Sequence, residues 1–347
     1  MVRRECFRRS SKQEGSLPTA KISALGSFVP PKILTNEDLS RMVETNDQWI
    51  RERTGIEERH IAGASIATSD MAIAAAKEAL AQRGISPREV GVIIICTVTP
   101  DTMFPSTACI VQNGLGAAGA WGFDLSAACS GFLYGLTTGA HLVAGGAHRY
   151  VLVIGADTMS RIIDYTDRST CILFGDAGGA FLLEPSADAA TEGGYIGHLA
   201  EIDGSGAPFL NMPAGGSRLP ASAETVAKRQ HYVKQEGQQV FKYAVKKMAE
   251  LSEALLTKHG VKPSDVKLLI PHQANRRIIT ATAERLGMPP ERVVINLGKF
   301  GNTTAATIPL ATRDAVAEGR LKKGDLVLFA AVGAGYTAGA SLWRWAF

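Results

Sequence analysis

The sequence contains no uninterrupted apolar stretch approaching the roughly 18 residues that a bilayer-spanning helix requires. Its longest candidates are broken by glycines and turn residues, so no membrane span is expected. Cysteine is scarce: there are five in 347 residues (Cys6, Cys96, Cys109, Cys129, Cys171), odd in number, scattered and mostly in apolar surroundings. That usage argues against a disulfide framework and for a reducing compartment, so a cytoplasmic location is expected. Neither a C-x-x-C pair nor an H-E-x-x-H spacing occurs, and no metal site is expected. Charge excess is missing from the body of the chain. The formal net charge is +4, and residues 1–20, with five basic and two acidic side chains, leave about +1 for the rest. Nothing in that balance calls for nucleic acid. The same twenty residues lack the apolar segment of a secretory signal and read as a disordered basic tail.

What is present is an ordinary globular composition, 46% hydrophobic and 20% charged, long enough to bury one large core or two medium ones. An internal repeat organises it. ALAQRGISPREVGVIIIC (79–96) matches ALLTKHGVKPSDVKLLIP (254–271): in each a helix end, a glycine, a Pro-containing turn and a strand. The later order repeats as well. A helix near 106–116 leads to the strand WGFDL (121–125), a Gly-rich helix and the strand YVLVIGAD (150–157). A helix near 275–287 leads to the strand-like VVIN (293–296), a small-residue helix and LVLFAAVG (326–333). The reading is a duplicated α/β protein of βαβαβ-type halves with buried, near-continuous apolar strands. The boundaries are a tail over 1–20, a first half over 21–190, an irregular connecting or cap segment over 191–239, and a second half over 240–347.

Three residues emerge at the turns between these elements. Cys129, in DLSAACSGF, sits at the start of the Gly-rich helix, where unpaired N–H groups and the helix dipole favour thiolate and lower the thiol pKa. A structural cysteine would also fit such apolar surroundings. His272 follows the strand LLIP, and Asn302 lies in GKFGNTTAA, in nearly the same place in the second half as Cys129 in the first. The carboxyl ends of strands in open α/β sheets are the usual place for chemistry. The glycines of VGAGYTAGAS (332–341) resemble a dinucleotide loop but lead into the strand-like ASLWRWAF. No helix start is available there to hold a pyrophosphate. Such a turn instead suits close backbone approach, with an N–H aimed at a developing oxyanion.

From about Ala20 to Phe347 the chain resembles the β-ketoacyl-acyl-carrier-protein synthase III family of the thiolase-like superfamily. The resemblance rests on NDQWIRERTGIEERHI (46–61), FPSTAC (104–109), AACSGF, DRSTCILFGDAGGA (167–180), PHQANRRI (271–278), GNTTAA (301–306) and the terminal glycine turn. It implies a layered α-β-α-β-α sandwich and a decarboxylative condensation of a short acyl-CoA with malonyl-carrier protein. Acyl-CoA is then a substrate, with no cofactor. Cys129 would carry the acyl group, and its N–H with those of Ala334 and Gly335 would form the oxyanion hole. His272 and Asn302 would hydrogen-bond the malonyl thioester carbonyl. Trp49, Arg53, Arg168, Gly237, Phe241 and Asn275 would contact CoA or substrate, and Phe104 would close the acyl pocket across a homodimer. Arg276, Arg277, Lys242, Lys246 and Lys247 would face the acidic carrier protein. Ala334 stands where the family pattern has glycine, and Glu284 and Arg285 where it often has two basic residues. A related condensing enzyme with another primer or acceptor, a papain-like Cys-His-Asn hydrolase and a non-catalytic acyl binder are the alternatives; papain-like hydrolases are not duplicated α/β proteins.

Overall fold

A computed structural model describes residues 19–347. The expected tail lies outside the described residues, except that Thr19 and Ala20 open the first strand. The first half comprises β1 (Thr19–Phe28), α1 (Thr68–Arg83), β2 (Val92–Cys96), α2 (Thr107–Leu115), β3 (Trp121–Leu125), α3 (Gly131–Ala144), β4 (Val151–Asp157) and β5 (Ala177–Ser186). Its sheet has the order β1-β5-β4-β2-β3. Strands β3, β2 and β4 run parallel, and β5 pairs antiparallel with both β4 and β1. The second half comprises β6 (Gly194–Ile202), α4 (Gly237–Lys258), β7 (Leu268–Pro271), α5 (Arg276–Arg285), α6 (Thr307–Ala317), β8 (Leu326–Gly333) and β9 (Thr337–Arg344). Its order, β6-β9-β8-β7, and its strand directions reproduce those of β1-β5-β4-β2.

Three expectations change. VVIN is not a strand: Val293 makes one bridge to Leu269 where the first half has β3. The side chain of Gln273 explains this, because its Nε2 donates to the Val294 carbonyl at 3.0 Å and its Oε1 accepts from the Asn296 N–H at 3.0 Å. Backbone groups that a neighbouring strand would pair are already satisfied. The segment 191–239 is not all connection, since residues 194–202 form β6 on the edge of the second sheet. WGFDL does form β3, but as a half-buried edge strand with Trp121 48% exposed.

Helices α3 and α6 lie between the sheets. Phe132, Leu136, Val143, Ile308 and Ala311 share one core with Val92, Ile94 and Val153 of the first sheet and Ile270, Val327 and Phe329 of the second. Alternate residues of the same strands, Ile93, Ile95, Leu152 and Ile154, face α1 on the outside. Leu328 and Ala330 face α4 likewise, in a core that includes Met248 and Leu255. The strands read as unbroken apolar runs because both faces are covered. Space in the middle layer is tight: a Cβ on Gly135 would come within 2.4 Å of the Cys96 sulfur, and one on Gly139 within 2.9 Å of Leu183 and Val153. The fold is the layered thiolase-like sandwich.

Candidate active site

Both central helices are entered through the same kind of turn. The single 3-10 turns Ala128–Ser130 and Thr304–Ala306 precede α3 and α6, and each begins with a non-glycine residue in the left-handed region, Ala128 at φ 48° and Thr304 at φ 53°. Cys129 is the second residue of the first turn. Its structural counterpart is therefore Ala305, and Asn302 stands three residues ahead of the equivalent place. The nucleophile turn is fastened to β9: Thr337 Oγ1 donates to the Ala127 carbonyl at 2.9 Å, and Ser130 Oγ donates to the Thr337 carbonyl at 3.2 Å. Neither hydroxyl was singled out from the sequence.

His272 follows β7 directly, and its backbone N–H donates to the Ala330 carbonyl at 2.8 Å, continuing the ladder with β8. The ring is buried, and burial pushes its pKa down to about 3, so the imidazole is neutral across the physiological range. Its Nδ1 lies 2.7 Å from Thr307 Oγ1. That hydroxyl is also 3.0 Å from the Thr304 carbonyl, which already accepts the Thr307 N–H. The hydroxyl donates its one proton to that carbonyl, and the tautomer with the ring proton on Nε2 requires the proton to turn to Nδ1 instead. Gln273, itself buried, locks the following loop and also donates to the Pro271 carbonyl at 2.7 Å. Thr307 and Gln273 were missed from the sequence, although Gln273 is inside the PHQAN string.

Asn302 follows the short helix Leu297–Phe300 rather than a strand, and is held against the first half: its N–H donates to the Leu173 carbonyl at 2.9 Å, and its carbonyl accepts from the Gly175 N–H at 3.1 Å. Its side-chain Oδ1 accepts from the Thr304 N–H at 2.9 Å, which fixes the amide orientation and leaves Nδ2 as a donor. Cys129, His272, Asn302 and Gly333 line one cavity of about 210 Å³, together with Arg53, Gly237, Phe241 and Asn275. A second, apolar cavity of about 140 Å³ is lined by Val98, Met159, Ile162, Met212, Val233 and Ala334, and it too touches Cys129. The cysteine stands where the two meet.

The expected drop in the Cys129 pKa is reversed. The residue is 8% exposed, and burial, reinforced by the Asp157 carboxylate, pushes its thiol up to about 12 despite the helix start. At rest this is a thiol.

Comparisons with known proteins accord with this geometry. Residues 123–199 match the family model for 3-oxoacyl-[acyl-carrier-protein] synthase III, and residues 256–345 match the model for its C-terminal part. The β-ketoacyl-[acyl-carrier-protein] synthase III of Solibacter usitatus is 69% identical over 331 residues, covering 95% of this chain and 100% of its own. That of Koribacter versatilis is 58% identical, covering 96% and 99%. The crystal structure of 3-oxoacyl-[acyl-carrier-protein] synthase III from Aquifex aeolicus superposes with a TM-score of 0.86 at 44% identity, covering 94% of this chain and 100% of that one. The chain belongs to the β-ketoacyl-acyl-carrier-protein synthase III family. It is a condensing acyltransferase.

The remaining residues expected of a synthase III fall into four groups. Trp49, on the helix Asp47–Thr54, has the Arg168 guanidinium 4.8 Å and that of Arg53 5.8 Å from its ring centre. Arg53 and Ser169 reach the larger cavity, so this cluster stands beside it. Asn275 lines that cavity while capping α5: its Oδ1 accepts from the Arg277 N–H at 2.9 Å and its Nδ2 donates to the Arg53 carbonyl at 2.9 Å. Phe104 is 86% exposed and lines neither cavity of its own chain. Lys242, Lys246, Arg276 and Arg277 are exposed on α4 and α5, with the Arg277 guanidinium 5.1 Å from the Phe241 ring centre. Lys247 differs: it is paired with Glu201 at 2.6 Å and Glu250 at 3.7 Å. Arg285 is similarly engaged with Glu253 and Glu250. In the terminal turn the left-handed residue is Gly335, at φ 132°, and Ala334 is not among the positive-φ residues, so its methyl group is accommodated.

Proposed function

We propose that the protein starts fatty-acid chains by joining a short acyl group, most simply acetyl, from acyl-CoA to malonyl-carrier protein. The observation that carries this reading is the position of Cys129 between two cavities, one apolar and one bearing the His272 and Asn302 donors. In the first step the thiol sulfur attacks the acyl-CoA carbonyl, and acyl-Cys129 and free CoA thiol result. The Cys129 N–H and the Gly333–Gly335 turn stand beside the carbonyl oxygen as it gains charge. In the second step malonyl-carrier protein loses carbon dioxide, and the electron pair becomes an enolate whose oxygen faces His272 Nε2–H and Asn302 Nδ2–H. The enolate carbon attacks the acyl thioester, and the leaving cysteine sulfur takes up one proton. Atoms and electrons balance without an oxidant or a reductant, so acyl-CoA enters as substrate and no redox cofactor is demanded.

Each donor aimed at the enolate oxygen is worth about 10²–10³ in rate. Neither needs to titrate. The Trp49, Arg53 and Arg168 cluster is the proposed nucleotide end of the CoA site, and Lys242, Lys246, Arg276 and Arg277 the proposed landing for an acidic carrier protein. The enzyme is proposed to work in the cytoplasm as a homodimer, with Phe104 of each copy completing the other's acyl pocket. No helix among the described residues is long and apolar enough to cross a membrane. The test follows carbon dioxide release and carrier-protein mass with a panel of acyl-CoAs. The wild type should yield 3-oxoacyl-carrier protein, and His272→Ala and Asn302→Ala should acylate yet fail at decarboxylation. Normal condensation by either variant would contradict the assignment.

A further inference from the structure

A buried carboxylate that takes no part in the steps above joins the two halves beside the site. Asp157, the last residue of β4, is fully buried. Its Oδ1 accepts three hydrogen bonds from the segment after β2: Thr97 Oγ1 at 2.9 Å, the Val98 N–H at 2.8 Å and Thr99 Oγ1 at 3.0 Å. Its Oδ2 accepts one from the other half of the molecule, the Ala305 N–H at 3.3 Å. No ion pair involves it among the described residues. Four donors compensate the loss of water, and of the two cavities at the site they line one directly. Val98 lines the apolar one, whereas Ala305 belongs to the turn whose preceding N–H, that of Thr304, orients the Asn302 amide.

We propose that Asp157 is a positioning residue for decarboxylation, its second carboxylate oxygen holding the Thr304–Ala306 turn so that Asn302 presents its amide donor to the malonyl thioester. The two oxygens have separate duties. A carboxylate can accept on both sides, but an amide of the same shape can accept on only one. In Asp157→Asn the amide oxygen satisfies the three donors of residues 97–99. The amide nitrogen then confronts the Ala305 N–H, donor against donor. The disturbance is directed at the Asn302 turn, and the nucleophile turn, which has no hydrogen bond to Asp157, is left in place. Sub-ångström displacement of a positioned group costs large factors in rate.

The proposal rests on the two-step function given above, and the experiment separates the two. Acylation is followed by quenched-flow intact mass with acetyl-CoA, and decarboxylation by carbon dioxide release from malonyl-carrier protein, in the wild type and in Asp157→Asn. The variant should acylate no more slowly than the wild type, because removing the carboxylate charge relieves one cause of the raised Cys129 thiol, while decarboxylation falls by roughly 10²-fold. A merely structural carboxylate would lower both steps together, and that result, or two unchanged rates, overturns the proposal. Should Asp157→Asn fail to fold, an amide-to-ester replacement at position 305 removes only the N–H that Oδ2 accepts, and the same split is expected. If the wild type itself formed no acyl-enzyme, the function would be at fault rather than the role of Asp157.

Discussion

Replacing Gly333 by alanine tests whether close backbone approach to Cys129 supports acyl transfer. Gly333 ends β8 without a left-handed φ, so its only constraint is space. A Cβ there would lie 2.8 Å from the Cys129 nitrogen, 3.0 Å from the Ser130 nitrogen and 2.8 Å from Thr337 Oγ1. Two of these are backbone atoms of the nucleophile turn, and the third is the hydroxyl that fastens the turn to β9. A relaxed contact needs about 3.5 Å, so the turn and β8 must part by about 0.5–0.7 Å. Overpacking of this size costs about 1–3 kcal/mol of stability. A displacement approaching 1 Å at a reacting group costs on the order of 10² in rate. We therefore expect Gly333→Ala to remain folded and to acylate Cys129 about 10–100-fold more slowly. The control is Gly63→Ala, where a Cβ meets nothing within 4 Å. Rapid-quench mass spectrometry gives the rate, and denaturant unfolding gives the stability. A folded Gly333→Ala that acylates as fast as wild type would refute the reasoning.

Four further outcomes follow from the same geometry. Because burial holds His272 neutral down to about 3, decarboxylation should show no His272-dependent limb between about pH 5 and 8; a limb near the ordinary histidine value that vanishes in His272→Ala would contradict this. The unfolded chain protonates this histidine below its ordinary value and the folded one does not, so stability should decline as pH falls through about 6.5 toward 3, and chemical denaturation should show that slope shrink in the variant. The Cys129 thiol, pushed up to about 12 by burial, should alkylate slowly in the free enzyme at neutral pH, with a rate that climbs about tenfold per pH unit through pH 9; a plateau below pH 7 would show a resting thiolate. Trp49→Ala should raise KM for acyl-CoA by about tenfold through lost stacking, with kcat little changed; an unaltered KM would remove Trp49 from the nucleotide site.

Much of this architecture was legible in the sequence because the repeat carries its own punctuation. The glycine, Pro-turn and strand of 79–96 and 254–271 become Gly84 and Gly260, the 3-10 turns Pro87–Glu89 and Pro263–Asp265, and strands β2 and β7. Strand β6 was hidden because it is an edge strand: GYIGHLAEI is only half-buried and lacks an apolar run. VVIN misled because a side chain, Gln273, takes the place of a strand. The three polar residues at strand or helix ends were legible as chemistry, but their surroundings were not. Thr307, Thr337 and Asp157 reach the site from 35 to 210 positions away in the chain, and local pattern says nothing of such partners. Nor does a helix start reveal how deeply its cysteine is buried.

The most direct test of the account is the intact mass of the purified protein after incubation with acetyl-CoA, beside Cys129→Ser, followed by a chase with malonyl-carrier protein. The account predicts an acetyl increment on the wild type alone, discharged by the chase into acetoacetyl-carrier protein with release of carbon dioxide. An increment that persists in Cys129→Ser, or one that the chase leaves on the enzyme, would contradict it.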